Sequence, residues 1–196
     1  MLRTSLLAMT ALCLITLGCD SSEWREIRYP AEVPVANVPM RLRQTNWVDR
    51  TNSGSCVIAS SVSLLRWHNE DAIADYFRRN YAGGQTATSI KRIWAQHKIP
   101  MQAEEDGRPE FLEWCSNTRR PAIIWFFPNH CVTFVGFSNW NGRQVAWLLD
   151  NNRVERFIPI ERGEFIRAWR SYGGFAMATT LEPCPPLPRQ GYEVIQ

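Results

Sequence analysis

Residue 56 is a cysteine set between a small polar loop, Asn52-Ser53-Gly54-Ser55, and an apolar run that continues to Trp67. If that run is a helix, the thiol sits at its N-terminus, where the positive end of the helix dipole favours thiolate. The loop would supply a helix cap and an approachable backbone. A nucleophile ionised at neutral pH needs more. Moving a thiol pKa from ~8.5 to ~4 takes roughly 6 kcal/mol, and a helix end contributes up to ~2 kcal/mol. A nearby cation must supply most of the rest, and imidazolium is the usual one.

The chain has 3 histidines. His68 closes the cysteine helix, roughly three turns from Cys56, and cannot reach it. His97 precedes Lys98-Ile99-Pro100 and suits the C-terminal cap of another helix. His130 opens the strand-like run NHCVTFVGF after Pro128-Asn129. A histidine at a strand mouth, far along the chain, can meet the cysteine helix across the domain. Cys56 and His130 are therefore the candidate nucleophile and base.

The elements that must position them read as follows. The cysteine helix spans 56–67 and is apolar around most of its girth, as a central helix is, with Cys56, Ser60 and Ser63 on one stripe. Further helices are expected over 69–81, 88–97 and 109–116, the first broken by Gly83-Gly84. Strands follow over 121–127, 131–137, 143–149, 153–160 and 175–180, with one more helix over 161–170. Asn141-Gly142 is a hairpin signal. Helices first and an antiparallel sheet afterwards make an α+β arrangement.

The order of these motifs resembles that of the papain-like cysteine peptidases, most closely the branch around the bacterial peptidases that cleave double-glycine leader peptides. That order is a glutamine, a cysteine opening a helix, a histidine opening a strand, and Asp or Asn ending the next strand. Here it reads RQTNW, GSCVIAS, HCVTFVGF and VAWLLDNN, between about residues 41 and 180. The resemblance implies a papain-like fold, with an N-terminal helical part carrying the cysteine and a C-terminal antiparallel sheet carrying the histidine. It implies Cys56 as nucleophile, His130 as base and acid, and Asp150 as the group orienting the imidazole. Gln44 would join the Cys56 N–H in stabilising the oxyanion, across a gap longer than papain's own. The implied reaction is cleavage of a peptide or amide bond through a thioester, with no metal and no organic cofactor. The same triad would serve cell-wall peptide amidase or acyl-transferase chemistry, and a silent shell would serve as a binding module.

The third member has a rival. A tight two-residue turn at Asn141-Gly142 puts His130 on the face of odd-numbered positions such as Asn151, whereas a wider loop puts Asp150 opposite it. A one-residue bulge suffices to switch between them. Asp150 is the choice, because strand ends often bulge and a carboxylate stabilises imidazolium better than an amide; Asn151 is the alternative.

The first residues belong to export. MLRTSLLAMTALCLITLGC has one early cation, Arg3, then an apolar run too short to span a bilayer and suited to a signal peptide over 1–18. Leu17-Gly18-Cys19 resembles a bacterial lipoprotein signal, with Thr16 as a departure, and makes Cys19 the lipidation site. Residues 19–40, with Pro30, Pro34 and Pro39, would form the anchor and a semi-stiff tether. The peptidase domain would occupy 41–182 and an irregular tail 183–196. The expected location is the periplasmic face or cell surface, held by lipid. Of the other cysteines, Cys115 and Cys131 read as buried small apolar residues, with a Cys115–Cys184 disulfide open after export. The chain's 196 residues and 45% hydrophobic content support one domain with a substantial core, expected as a monomer. Its net charge is +3, and the basic residues are scattered, which argues against a nucleic-acid partner. The expected partner is a peptide or protein substrate. Trp47, Trp125, Trp140 and Trp147 read as core rather than cleft.

Overall fold

The computed structural model describes residues 34–182. The signal-like run, Cys19, most of the tether and the tail with Cys184 lie outside the described residues. In chain order the elements are α1 (Cys56–Trp67), α2 (Asp71–Asn80), α3 (Ala87–Gln96), β1 (Met101–Glu104), α4 (Pro109–Asn117), β2 (Ala122–Trp125), β3 (Cys131–Trp140), β4 (Arg143–Leu149), β5 (Phe157–Glu161), α5 (Arg162–Ser171) and β6 (Ala176–Thr179). The strands form one antiparallel sheet in the order β1-β6-β2-β3-β4-β5.

Every residue of α1 except Arg66 is buried, as its all-round apolar pattern requires. Ile58, Val62 and Leu65 pack with Ile123, Cys131 and Met177 on one face of the sheet. Ile124, Phe134 and Ala176 turn to the other face, against Leu112 of α4 and Phe165 and Trp169 of α5. Helices therefore cover both faces, so the central strands read as continuous apolar runs rather than alternating ones. The result is a mixed α+β domain.

Three boundaries differ from the sequence reading. β1, with the sequence MQAE, was not expected: it has no β-branched residue and its apolar-polar alternation lasts only four residues, and it exists because it pairs with β6. The strand expected from 153 starts only at Phe157. Arg43 holds the preceding turn, donating to Val154 O at 2.5 Å and Val38 O at 2.8 Å while its guanidinium lies 4.2 Å from the Phe157 ring centroid. The domain also begins before residue 41. Ala36 and Val38 are buried with Leu42, Trp67, Trp147 and Leu149, so 34–38 is a strap packed on the sheet and not part of a tether.

Cys56, Cys115 and Cys131 are free thiols, all buried. Of the four tryptophans read above as core, Trp147 is core, Trp140 is exposed, and Trp47 and Trp125 are partly buried against the cluster that contains Cys56.

Candidate active site

The stretch before Cys56 folds back as a narrow hairpin. Val48 bridges Gly54, and Ser55 N donates to Trp47 O at 2.8 Å. Asp49 closes the turn by accepting from Thr51 N, Thr51 Oγ1 and Ser53 N at 2.7–2.8 Å. Ser55 does not cap α1 as the sequence suggested. Its hydroxyl instead accepts from Gly83 N at 2.8 Å, while Ser53 Oγ accepts from Gly84 N at 3.0 Å. The Gly83-Gly84 pair is thus a brace for the cysteine loop. Gly83 has φ +78°, and a Cβ there would sit 2.4 Å from Asp49 Oδ2, so no side chain fits. With no Ser55 cap, the first N–H groups of α1 stay available to a negative charge at its N-terminus.

His130 follows a turn in which Phe127 and Asn129 take positive φ, and it stands one residue before β3. Its Nε2 lies 2.9 Å from Asp150 Oδ1, with both side chains about 15% exposed. Asp150 Oδ1 also accepts from Asn152 N at 2.8 Å. With Nε2 engaged, Nδ1 is the ring nitrogen left for the Cys56 thiol, with which the imidazole interacts by hydrogen bond and charge.

The β3–β4 register explains why Asp150 reaches the ring. Asn141-Gly142 makes the tight turn, pairing Trp140 with Arg143 and Gly136 with Trp147. Between Gly136 and Phe134 the register shifts by one, so Phe134 pairs with Leu148 and Thr133 with Leu149. Val135 is the extra residue, and its carbonyl turns outward to accept from Ala36 N of the strap at 2.8 Å. The bulge reverses which β4 positions share a face with even positions of β3. Continued past Leu149, the shifted register sets Asp150 on the His130 side and Asn151 opposite Cys131. Asn151 is accordingly buried, with its Nδ2 2.8–3.0 Å from Cys56 O, Ser60 Oγ and Cys131 O.

The charges of the three groups support one another. Burial pushes the Cys56 thiol up, but the His130 hydrogen bond, the backbone of Cys131 and Val57, and the imidazolium charge outweigh it and hold the thiol below its ordinary value. Burial likewise opposes the His130 imidazolium, yet Asp150 and Cys56 raise its pKa to about 9. Asp150 resists its own desolvation through His130, the Asn152 N–H and Arg153, and lies below the usual carboxylate range. By contrast, burial drives the Cys115 and Cys131 thiols upward, which leaves them protonated.

Gln44 does not join this group. Its amide Nε2 donates to Thr45 O at 2.9 Å and its Oε1 accepts from Arg66 Nη1 at 3.3 Å. Arg66 is ten residues along α1 from Cys56, which is about 15 Å. The hairpin carries a second amide, that of Asn46, toward the start of α1. Continuing the register of Val48 with Gly54 and Trp47 with Ser55 would set Asn46 opposite Cys56. Its Nδ2 would lie 3.4 Å from a Cβ at Gly54 and donates to Asn152 Oδ1 at 3.0 Å, while its Oδ1 is buried with no partner. The sequence signal for Asn46 is the turn-forming set Asp49, Asn52 and Gly54, which folds the residues before it onto the cysteine.

The other histidines are occupied elsewhere. His68 Nδ1 lies 2.9 Å from Glu182 O, and His97 Nε2 lies 2.8 Å from Tyr81 Oη.

No protein-family model and no curated protein matches the chain. Among solved structures it is similar to a candidate C39-like peptidase from Bacillus anthracis, at 12% identity and a TM-score of 0.55, over 78% of this chain and 98% of that one. At that identity the likeness is one of fold alone: this chain shares the α+β fold of that structure.

Proposed function

We propose that the protein is an exported, membrane-anchored cysteine peptidase that cleaves a peptide or amide bond through Cys56, His130 and Asp150. The observation that carries this reading is the pairing of one histidine with a carboxylate on Nε2 and a thiol of lowered pKa on its other side. A thiol held below its ordinary value beside an imidazole raised to about 9 favours the thiolate–imidazolium form of the pair.

The thiolate attacks the substrate carbonyl carbon, and the electron pair of the C=O moves to oxygen. That oxyanion meets the backbone N–H at the start of α1 and the Asn46 amide, which takes the part expected of Gln44. His130 gives its proton to the leaving nitrogen as the C–N bond breaks, leaving a thioester on Cys56. Water then attacks the thioester carbonyl with His130 as base, and the acid and free thiolate are released. Asp150 keeps the imidazole oriented and stabilises its charged form throughout.

Among the described residues no helix is long and apolar enough to cross a membrane; the proposed attachment is through lipid at Cys19. A peptide-library cleavage screen tests the activity, with Cys56→Ala as control. Cleavage by the parent and none by the variant is the expected result. Equal products from both, or none from either across the library, would refute the peptidase reading.

A further inference from the structure

We infer that Asn151 is a positioning residue that fixes the nucleophile helix to the base-carrying strand by bridging the Cys56 carbonyl, the Ser60 hydroxyl and the Cys131 carbonyl. This rests on the peptidase reading above and deepens it. The Asn151 side chain is 2% exposed, and its Nδ2 reaches all three oxygens within 3.0 Å. An amide carries two N–H donors, so three acceptors at this range must share them.

The acceptors belong to both halves of the reacting pair. Cys56 and Ser60 form the first turn of α1. Cys131 follows His130 directly, and its backbone also hydrogen-bonds the Cys56 thiol. Both main-chain groups of Cys131 are thus used, its N–H toward sulfur and its carbonyl toward Asn151. Adjacent side chains divide the work: Asp150 turns to the imidazole and Asn151 to the main chain beneath it. The cost of the arrangement is visible, because Asn151 Oδ1 is buried without a partner, and an orphaned buried acceptor is unfavourable. The three donor-side contacts are what hold the amide there. Losing them leaves the Cys131 carbonyl unpaired and frees the strand to shift against the helix, and a displacement near 1 Å at reacting groups costs about 100-fold in rate.

The test needs no knowledge of the substrate. Cys56 alkylation by iodoacetamide is followed against pH by mass mapping in the parent, Asn151→Ala and Asn151→Ser, with circular dichroism confirming the fold. The parent midpoint should lie below that of an ordinary thiol, and Asn151→Ala should raise it by about one unit or more. Asn151→Ser keeps one donor and should shift it less; it decides the matter if the alanine variant does not fold. In a His130→Ala background, Asn151→Ala should add a smaller shift than in the parent, because of the two contacts it positions only that of the Cys131 N–H remains. A folded Asn151 variant with the parent's midpoint would overturn this inference alone. A parent midpoint at the ordinary thiol value would instead sink the peptidase reading on which it rests.

Discussion

Replacing His130 with alanine is the sharpest probe of the ionised pair. His130 rises from an ordinary 6.5 to about 9, which corresponds to roughly 3 kcal/mol in favour of imidazolium at about 1.4 kcal/mol per unit. Asp150 and Cys56 contribute this against the opposing effect of burial. What the thiolate contributes to the imidazolium, the imidazolium returns to the thiolate, because coupling between two sites is reciprocal. If Cys56 supplies about a third to a half of it, His130→Ala raises the thiol pKa by about one unit. Burial, the largest influence on Cys56, still pushes upward, and of the groups that hold the thiol down only the Cys131 and Val57 backbone remain. The variant's midpoint should therefore move up toward the free-thiol value of ~8.5. Iodoacetamide alkylation between pH 4 and 10, mapped to Cys56, reads this directly. Cys115 and Cys131 serve as internal controls, since both are buried and should stay unreactive while the protein is folded. An unchanged Cys56 midpoint in folded His130→Ala would show that the ring does not hold the thiolate, and the pair would be wrongly assigned.

Asp150→Ala should return the His130 pKa toward 6.5, read by NMR titration, and lower turnover below that of Asn151→Ala; an imidazole still titrating near 9 would remove Asp150 from its role. Asn46→Ala should reduce kcat by about 100-fold with little change in KM, as loss of one oxyanion donor does. Gln44→Ala should stay within about twofold of the parent, and the reverse order in matched kinetics would restore Gln44. A chain starting at Arg41 should melt at a lower temperature than one starting at Pro34, because the shorter one uncovers the surface under Ala36 and Val38. Equal melting temperatures would mean that the strap contributes nothing to stability. Mass spectrometry of the mature protein should find a lipid-modified N-terminus at Cys19, and an unmodified terminus beyond it would refute the anchor.

Local chemistry made several elements legible from sequence alone. The apolar girth behind a small polar loop defines α1 from Cys56 to Trp67, and the Asn141-Gly142 turn, with φ +48° and +73°, sets the start of the β3–β4 hairpin. The position of Cys56 at a helix start and of His130 at a strand mouth follows from the same patterns. β1 was not legible, because it is a strand only by virtue of its partner. Which of Asp150 and Asn151 faces His130 is set by contact across the chain. Val135 bulges out of β3 where its carbonyl meets Ala36 N, and Gly136, at φ +122°, passes so close to Val35 that a Cβ would lie 2.9 Å away. That strap lies about a hundred residues earlier in sequence, so no pattern within the strands could announce the shift. Gln44 and Asn46 are two residues apart on one polar stretch, and their types do not distinguish them. The hairpin does, since hydrogen bonding from Ser55 to Trp47 folds the stretch of Asn46 back along the cysteine loop, while Gln44 is held by Thr45 and Arg66. Residue types thus determined which chemistry was available, while register and loop closure, which depend on contacts between distant segments, determined which side chains meet.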